Sequence, residues 1–151
     1  MKIERVEREP QPMIGVREVV PMSDLSEFFS RAFAAAAAEL ARQGAQPAGP
    51  PVALYSGFEA DAVDVIAGFP VSQPVTPAAG LVAATLPGGP VVATVHAGSY
   101  EELSTTYGEL TTWFAQHGVT RADRMWEEYL VGPESEADST RWQTRILFPV
   151  R

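Results

Sequence analysis

The sequence predicts an α+β fold made of two similar halves, and three observations carry that expectation. One order of elements (strand, turn, strand, helix, strand, strand) reads twice along the 151 residues. A glycine ends each helical stretch and a tyrosine follows it at the same interval, Gly44 to Tyr55 and Gly118 to Tyr129. Each half then closes on the same tripeptide, Phe69-Pro70-Val71 and Phe148-Pro149-Val150. One Phe-Pro-Val means nothing; two at matching points of matching strings argue for an internal duplication. The chain reads as one domain over 1–151, with repeats at about 1–71 and 81–151 and a Pro- and Ala-rich linker at 72–80.

The first half opens with Ile3–Arg8, where apolar and charged residues alternate as in a half-buried strand. Pro10-Gln11-Pro12 then predicts a tight turn into a second strand, Met13–Val19. In the second half, Leu81–Leu86 runs through Pro87-Gly88-Gly89-Pro90 into Val91–His96, again as strand, turn, strand. The first helix carries Leu25, Phe28, Phe29, Ala32, Phe33, Ala36 and Leu40 on one stripe. The second carries Leu103, Tyr107, Leu110 and Phe114. Asp24 with Glu27, and Ser99 with Glu102, have the spacing of capping boxes. Gly44 and Gly118 supply the stops. Val52–Phe58 and Met125–Val131 are the tyrosine-bearing strands. The two halves are expected to pair about a pseudo-twofold axis, and concave space between similar halves is a common place for a ligand.

Composition narrows the function. A net charge of -8 with 11 scattered basic residues disfavours direct nucleic-acid binding, which needs clustered Lys and Arg. There is no cysteine, so disulfides, thiolate catalysis and Cys-based metal sites are out. Two isolated histidines, His96 and His117, lack metal-ligand spacing, so neither a metal nor a cofactor is expected. The run Ala34–Ala38, flanked by Arg31, Glu39 and Arg42, is too short and too charged to span a membrane. The charged start Met1-Lys2-Ile3-Glu4-Arg5 lacks a signal-peptide core, and a cytoplasmic protein is expected.

The duplication supplies an internal control. Setting Tyr55 on Tyr129 sets Ala53 on Glu127. By alternation Glu127 projects with Tyr129, and Glu128 projects with Trp126 and Leu130. One acid is expected to face solvent and the other not. Two readings stay open: both glutamates lie on the surface of an edge strand, or Glu127 lies at the floor of a cleft. A buried carboxylate needs donors, and Tyr129 and Tyr55 are candidates. Trp142 starts the final strand and shares a face with Thr144, Ile146 and Phe148, so Trp142 and Phe148 could line the same cleft. Phe148 fits a core position equally well, and Trp113 follows the helix stripe into the core. Aromatic walls around one carboxylate suit a flat, delocalised cation. A one-residue slip in the strand would exchange Glu127 for Glu128.

These residues resemble the GyrI-like small-molecule-binding family, similar to the effector-binding domains of AraC-type and MerR-type multidrug regulators. The resemblance runs through Val95-His96-Ala97-Gly98-Ser99-Tyr100, Tyr107-Gly108-Glu109-Leu110, Trp113, His117-Gly118, Trp126-Glu127-Glu128-Tyr129-Leu130, Gly132-Pro133 and Trp142-Gln143-Thr144. In the first half it covers Gly49-Pro50-Pro51, Tyr55, Asp64 and Phe69-Pro70-Val71. It implies two pseudo-symmetric βαββ modules of the SHS2-like type, with antiparallel sheets around a central ligand cleft. It also implies a pocket glutamate at Glu127 and a pocket aromatic at Trp142, together binding lipophilic, often cationic compounds. The sequence departs from the family at Arg145, where an acid is common; alternation puts Arg145 on the face opposite Trp142, where a rim or partner contact would change.

Four functions follow as expectations. The first is a binding protein for hydrophobic or cationic small molecules, using Glu127, Tyr129, Tyr55, Trp142 and Phe148. The second, implied by the resemblance, is a hydrolase of cyclopropane-containing natural products, with Glu127 activating water and Tyr129 or Tyr55 assisting. The third is a transcriptional effector domain, disfavoured because no helix-turn-helix precedes the repeat. The fourth is an inhibitor or regulator acting through a protein partner such as DNA gyrase.

Overall fold

The computed structural model describes residues 2–59, 61–78 and 80–151. Met1, Ala60 and Ala79, the last within the expected linker, lie outside the described residues. The strands are β1 (Ile3–Arg8), β2 (Gln11–Pro21), β3 (Val52–Glu59), β4 (Ala62–Pro70), β5 (Val82–Leu86), β6 (Gly89–Ala97), β7 (Met125–Val131) and β8 (Gln143–Pro149). The helices are α1 (Leu25–Arg42) and α2 (Leu103–His117). The fold is α+β, as expected. All eight strands join one curled antiparallel sheet in the order β1-β6-β8-β7-β3-β4-β2-β5. This order reads the same from either end when β1–β4 are exchanged with β5–β8.

The strand–turn–strand units do not close as hairpins. β1 pairs with β6 and β2 with β5, so each opening strand crosses to the other half. The turns meet where they cross: a Cβ on Gly88 would stand 2.6 Å from Pro10 Cδ. A turn signal is local, whereas the exchange places Val6, Val82 and Ala84 against the buried cluster of Leu86, Val91, Trp126 and Leu147. Burial of that apolar surface outweighs the local preference.

Both helices pack on the other face of the sheet. Phe28 and Ala32 from α1, and Leu110 and Phe114 from α2, share one buried cluster with Ala53, Tyr55, Ile146 and Phe148. Each helix ends as expected, on a left-handed glycine: Gly44 has φ 70° and Gly118 φ 61°. The capping boxes do not form. A 3-10 turn leads into each helix, Met22–Asp24 and Tyr100–Glu102, and neither Asp24 nor Ser99 makes a side-chain cap bond. The second turn moves the helix start past Ser99, and Asp24 (φ -104°, ψ 2°) lacks the extended geometry of a cap.

The chain between β4 and β5 forms no helix or strand among its described residues. Buried Glu39 in α1 fastens it. Its carboxylate takes a fork from Arg42 at 2.7 Å and bonds from Gln43 Nε2 at 2.7 Å and the Ala78 N–H at 2.9 Å.

Candidate functional site

The two central strands of the sheet, β3 and β7, bring the aligned positions of the two halves face to face. Ala53 is the direct register partner of Glu127, and Tyr55 that of Met125. The small Ala53 side chain leaves the Glu127 carboxylate room on the helix-covered face. Glu127 is buried, at 5% exposure.

Three phenols converge on this carboxylate. Tyr129, two residues along the same strand, donates to Oε1 at 2.7 Å, and Tyr55 from β3 donates to Oε1 at 3.1 Å. Tyr107 reaches down from α2 and donates to Oε2. A carboxylate accepts about four hydrogen bonds, and the described residues supply three, which leaves an acceptor position on Oε2. Among the described residues no Lys, Arg or His forms an ion pair with Glu127. Burial first, and the Glu127 charge second, push the phenols of Tyr55, Tyr107 and Tyr129 well above their usual range. They are therefore donors at neutral pH.

Aromatic rings surround this group. Phe29 and Phe33 of α1 each lie 5.9 Å from Tyr129, and Tyr100 lies 6.0 Å from it. Tyr100 packs on Trp142 at 4.9 Å and keeps 37% exposure, which makes it the outermost ring of the group. Trp142 stands just before β8 and donates its indole N–H to the Glu136 carbonyl at 2.7 Å. Phe148 is buried in the core cluster, with its ring 6.2 Å from Tyr107. Trp113 is half-buried, packs against the core and stacks on His117 at 4.1 Å. Two open hollows lie along α2, one beside Ile3 of β1 and one beside Val95, His96 and Ala97 of β6, and neither is lined by Glu127.

Sequence reasoning missed Tyr107 and Tyr100 as part of this group. The signal for Tyr107 was available: the offset that sets Gly118 on Gly44 and Tyr129 on Tyr55 sets Tyr107 on Phe33. That is a hydroxyl for a hydrogen on a core stripe, beside the change from Ala53 to Glu127. Tyr100 had no such signal, since its place depends on the 3-10 turn.

The expectation that one of the paired acids faces solvent is overturned. Glu128 is buried too, at 8% exposure, on the opposite face. Arg145, directly across the β7–β8 ladder, binds it at 2.9 Å, and the Trp126 indole N–H at 3.2 Å. Arg8 reaches it at 3.4 Å from β1, three strands away. Three strands span ~14 Å in a flat sheet, so this contact depends on the curl. Arg145 is thus tied to Glu128 within the chain. Both faces of a curled sheet are interior here, and alternation no longer sorts inside from outside.

A model of the GyrI-like small molecule binding domain matches residues 1–151. The EcmrR C-terminal domain shares the fold with a TM-score of 0.81 and 21% identity, over 99% of this chain and 97% of that one. In the EcmrR–DNA complex the chain spans 57% of EcmrR, with a TM-score of 0.76. SAV2435 bound to tetraphenylphosphonium matches with a TM-score of 0.72 and 12% identity, over 100% of this chain and 94% of that one. A hydrolase from Listeria innocua matches with a TM-score of 0.65 and 15% identity, over 99% and 92%. No curated protein matches the chain in sequence. No described helix is long and apolar enough to cross a membrane.

Proposed function

We propose, from the premise that this chain belongs to the family of GyrI-like small molecule binding domains, that it binds lipophilic cations at Glu127. One observation carries the reading: a buried carboxylate ringed by three phenols, with no cationic side chain among the described residues paired to it. The phenols hold the charge in place but do not neutralise it. A lipophilic cation supplies the missing charge, and the faces of Tyr129, Tyr100 and Trp142 suit it through cation–π contact. Such a ligand enters by displacing Tyr100, the outermost ring. The tetraphenylphosphonium complex of SAV2435 supports the choice of probe. Titration of tetraphenylphosphonium into the wild type and Glu127→Gln tests it. A loss of at least ~10-fold in affinity is expected; equal affinities overturn the reading.

The remaining acceptor position on Oε2 supports a second reading, a hydrolase in which Glu127 draws a proton from attacking water. The fold it shares with the Listeria hydrolase is compatible with this. Incubation with a cyclopropane-bearing natural product, followed by mass analysis for the water adduct, decides it. Equal product from wild type, Glu127→Gln and buffer removes it.

The palindromic strand order and the pairing of Ala53 with Glu127 support reading the halves, about 1–71 and 81–151, as diverged repeats. The lone carboxylate then makes the site lopsided within a near-symmetric sheet.

A further inference from the structure

Thr144 in β8 is wholly buried, and its hydroxyl has no hydrogen-bond partner among the described residues. Register fixes which face it occupies. It stands directly across from Tyr129 on β7 and from His96 on β6, on the face that carries Glu127. Neither neighbour bonds to it. Tyr129 gives its proton to Glu127. His96 uses both ring nitrogens, Nδ1 with Thr106 Oγ1 at 2.7 Å and Nε2 with the Ser99 carbonyl at 2.9 Å. The carbonyl can only accept, so Nε2 carries a proton, and Nδ1 is engaged by the Thr106 hydroxyl. A hydroxyl stripped of water with nothing in exchange destabilises a fold, and valine offers the same shape without that cost.

We propose that the Thr144 hydroxyl is a second polar contact for the ligand, selecting cations that also carry a hydroxyl, amine or carbonyl group. The proposal rests on the Glu127 site proposed above and deepens it. Glu127 faces Ile146 across the β7–β8 ladder, so Thr144 is its diagonal neighbour. Diagonal Cβ atoms in such a ladder lie ~7 Å apart. The preferred ligand is then an apolar or aromatic cation with a hydrogen-bonding group about one ring's width from the charge.

Tetraphenylphosphonium and its mono-hydroxylated analogues, with the hydroxyl meta or para on one ring, make a matched set for titration into the full chain. The wild type is expected to bind one hydroxylated analogue at least ~5-fold tighter than the parent. Thr144→Val is expected to abolish that preference while leaving the parent's affinity unchanged, and Thr144→Ser to restore it. A preference that persists in Thr144→Val, or equal affinities of all three cations for the wild type, overturns the proposal while leaving the Glu127 site standing. Failure of the wild type to bind any of the three overturns both. The melting temperature of unliganded Thr144→Val supplies an independent readout. It is expected to equal or exceed the wild type's; a fall assigns the hydroxyl to the fold and overturns the proposal.

Discussion

Glu127 and Glu128 are consecutive in β7, both buried, and their carboxylates lie on opposite faces of the sheet. Three phenols hold the first, and two guanidiniums and an indole hold the second. The neighbours therefore differ in kind. Glu128 meets its counter-charges within the chain, and Glu127 meets none among the described residues.

Removing Glu128 is expected to weaken the fold and spare the proposed ligand site. Glu128→Ala leaves Arg8 and Arg145 facing each other and the Trp126 N–H without its acceptor. Breaking a buried pair costs several kcal/mol, but side-chain exposures of 33% and 35% for the arginines screen part of that. A loss of ~1–3 kcal/mol is expected in urea unfolding, with tetraphenylphosphonium affinity unchanged. A loss below ~0.5 kcal/mol would show the cluster to be solvated.

The phenols give a spectroscopic prediction. All four tyrosines of the chain sit above their usual range, Tyr100 through burial, then Glu134, then Glu127. The folded protein thus keeps phenol protons that the unfolded chain gives up near pH ~10. Stability from these groups is complete below that pH and is lost as pH rises beyond it. Absorbance titration is expected to show Tyr100, the most exposed, ionising first. Tyr55, Tyr107 and Tyr129 follow only with alkaline unfolding. Reversible ionisation of three phenols near pH ~10 in the native state would refute the packing around Glu127.

Tyr107 offers a mutational counterpart. Tyr107→Phe removes the donor to Oε2 and leaves the ring. A hydrogen bond to a buried charge contributes ~1–3 kcal/mol, and a stability loss in that range is expected by urea unfolding. A neutral result would show that Tyr107 does not bond to the carboxylate.

Periodicity and glycine stops made the elements legible, because apolar alternation and left-handed caps are local physics. Met125–Val131 matches β7 residue for residue. The strand exchange of β1 and β5 was illegible, because a turn such as Pro10-Gln11-Pro12 says where the chain bends and not which strand it joins. Glu127 was legible through comparison of the two halves, which needs only the Tyr55–Tyr129 match. Its burial beside an equally buried Glu128 was not, because alternation assumes a wet face and the curl removes it. The capping boxes failed for a related reason: spacing finds acceptors but cannot see a 3-10 turn that shifts the helix start.

Glu39 yields a prediction at acid pH. The Arg42 fork first, then Gln43, hold its carboxyl at about 2, against a usual value of 4.5. A depressed folded value means a contribution that is complete above pH ~4.5 and lost as pH falls toward ~2. The melting-temperature gap between wild type and Glu39→Gln is expected to be widest near neutrality and to close across that window. In Glu39→Ala the segment 72–80 loses its tie through Ala78, and limited proteolysis there is expected to quicken. A gap independent of pH would remove the ionic account.

The close approach of β2 to β4 requires a pair of glycines. Gly15 and Gly68 are direct partners between β2 and β4. A Cβ on Gly68 would stand 1.9 Å from the Ile14 carbonyl oxygen and 2.6 Å from Gly15 Cα. Both are backbone atoms that cannot move aside as a side chain would. A Cβ on Gly15 would meet the Ala67 oxygen at 2.5 Å. Gly68→Ala is therefore expected to cost more than ~2 kcal/mol in urea unfolding, through backbone displacement. Gly57, beside the bulge in β3, is the control: an added Cβ there meets nothing within 4 Å. Gly57→Ala is expected to be neutral or slightly stabilising, since it restricts the unfolded chain at no steric cost. Equal effects at the two positions would mean that the close approach of β2 to β4 does not hold in solution.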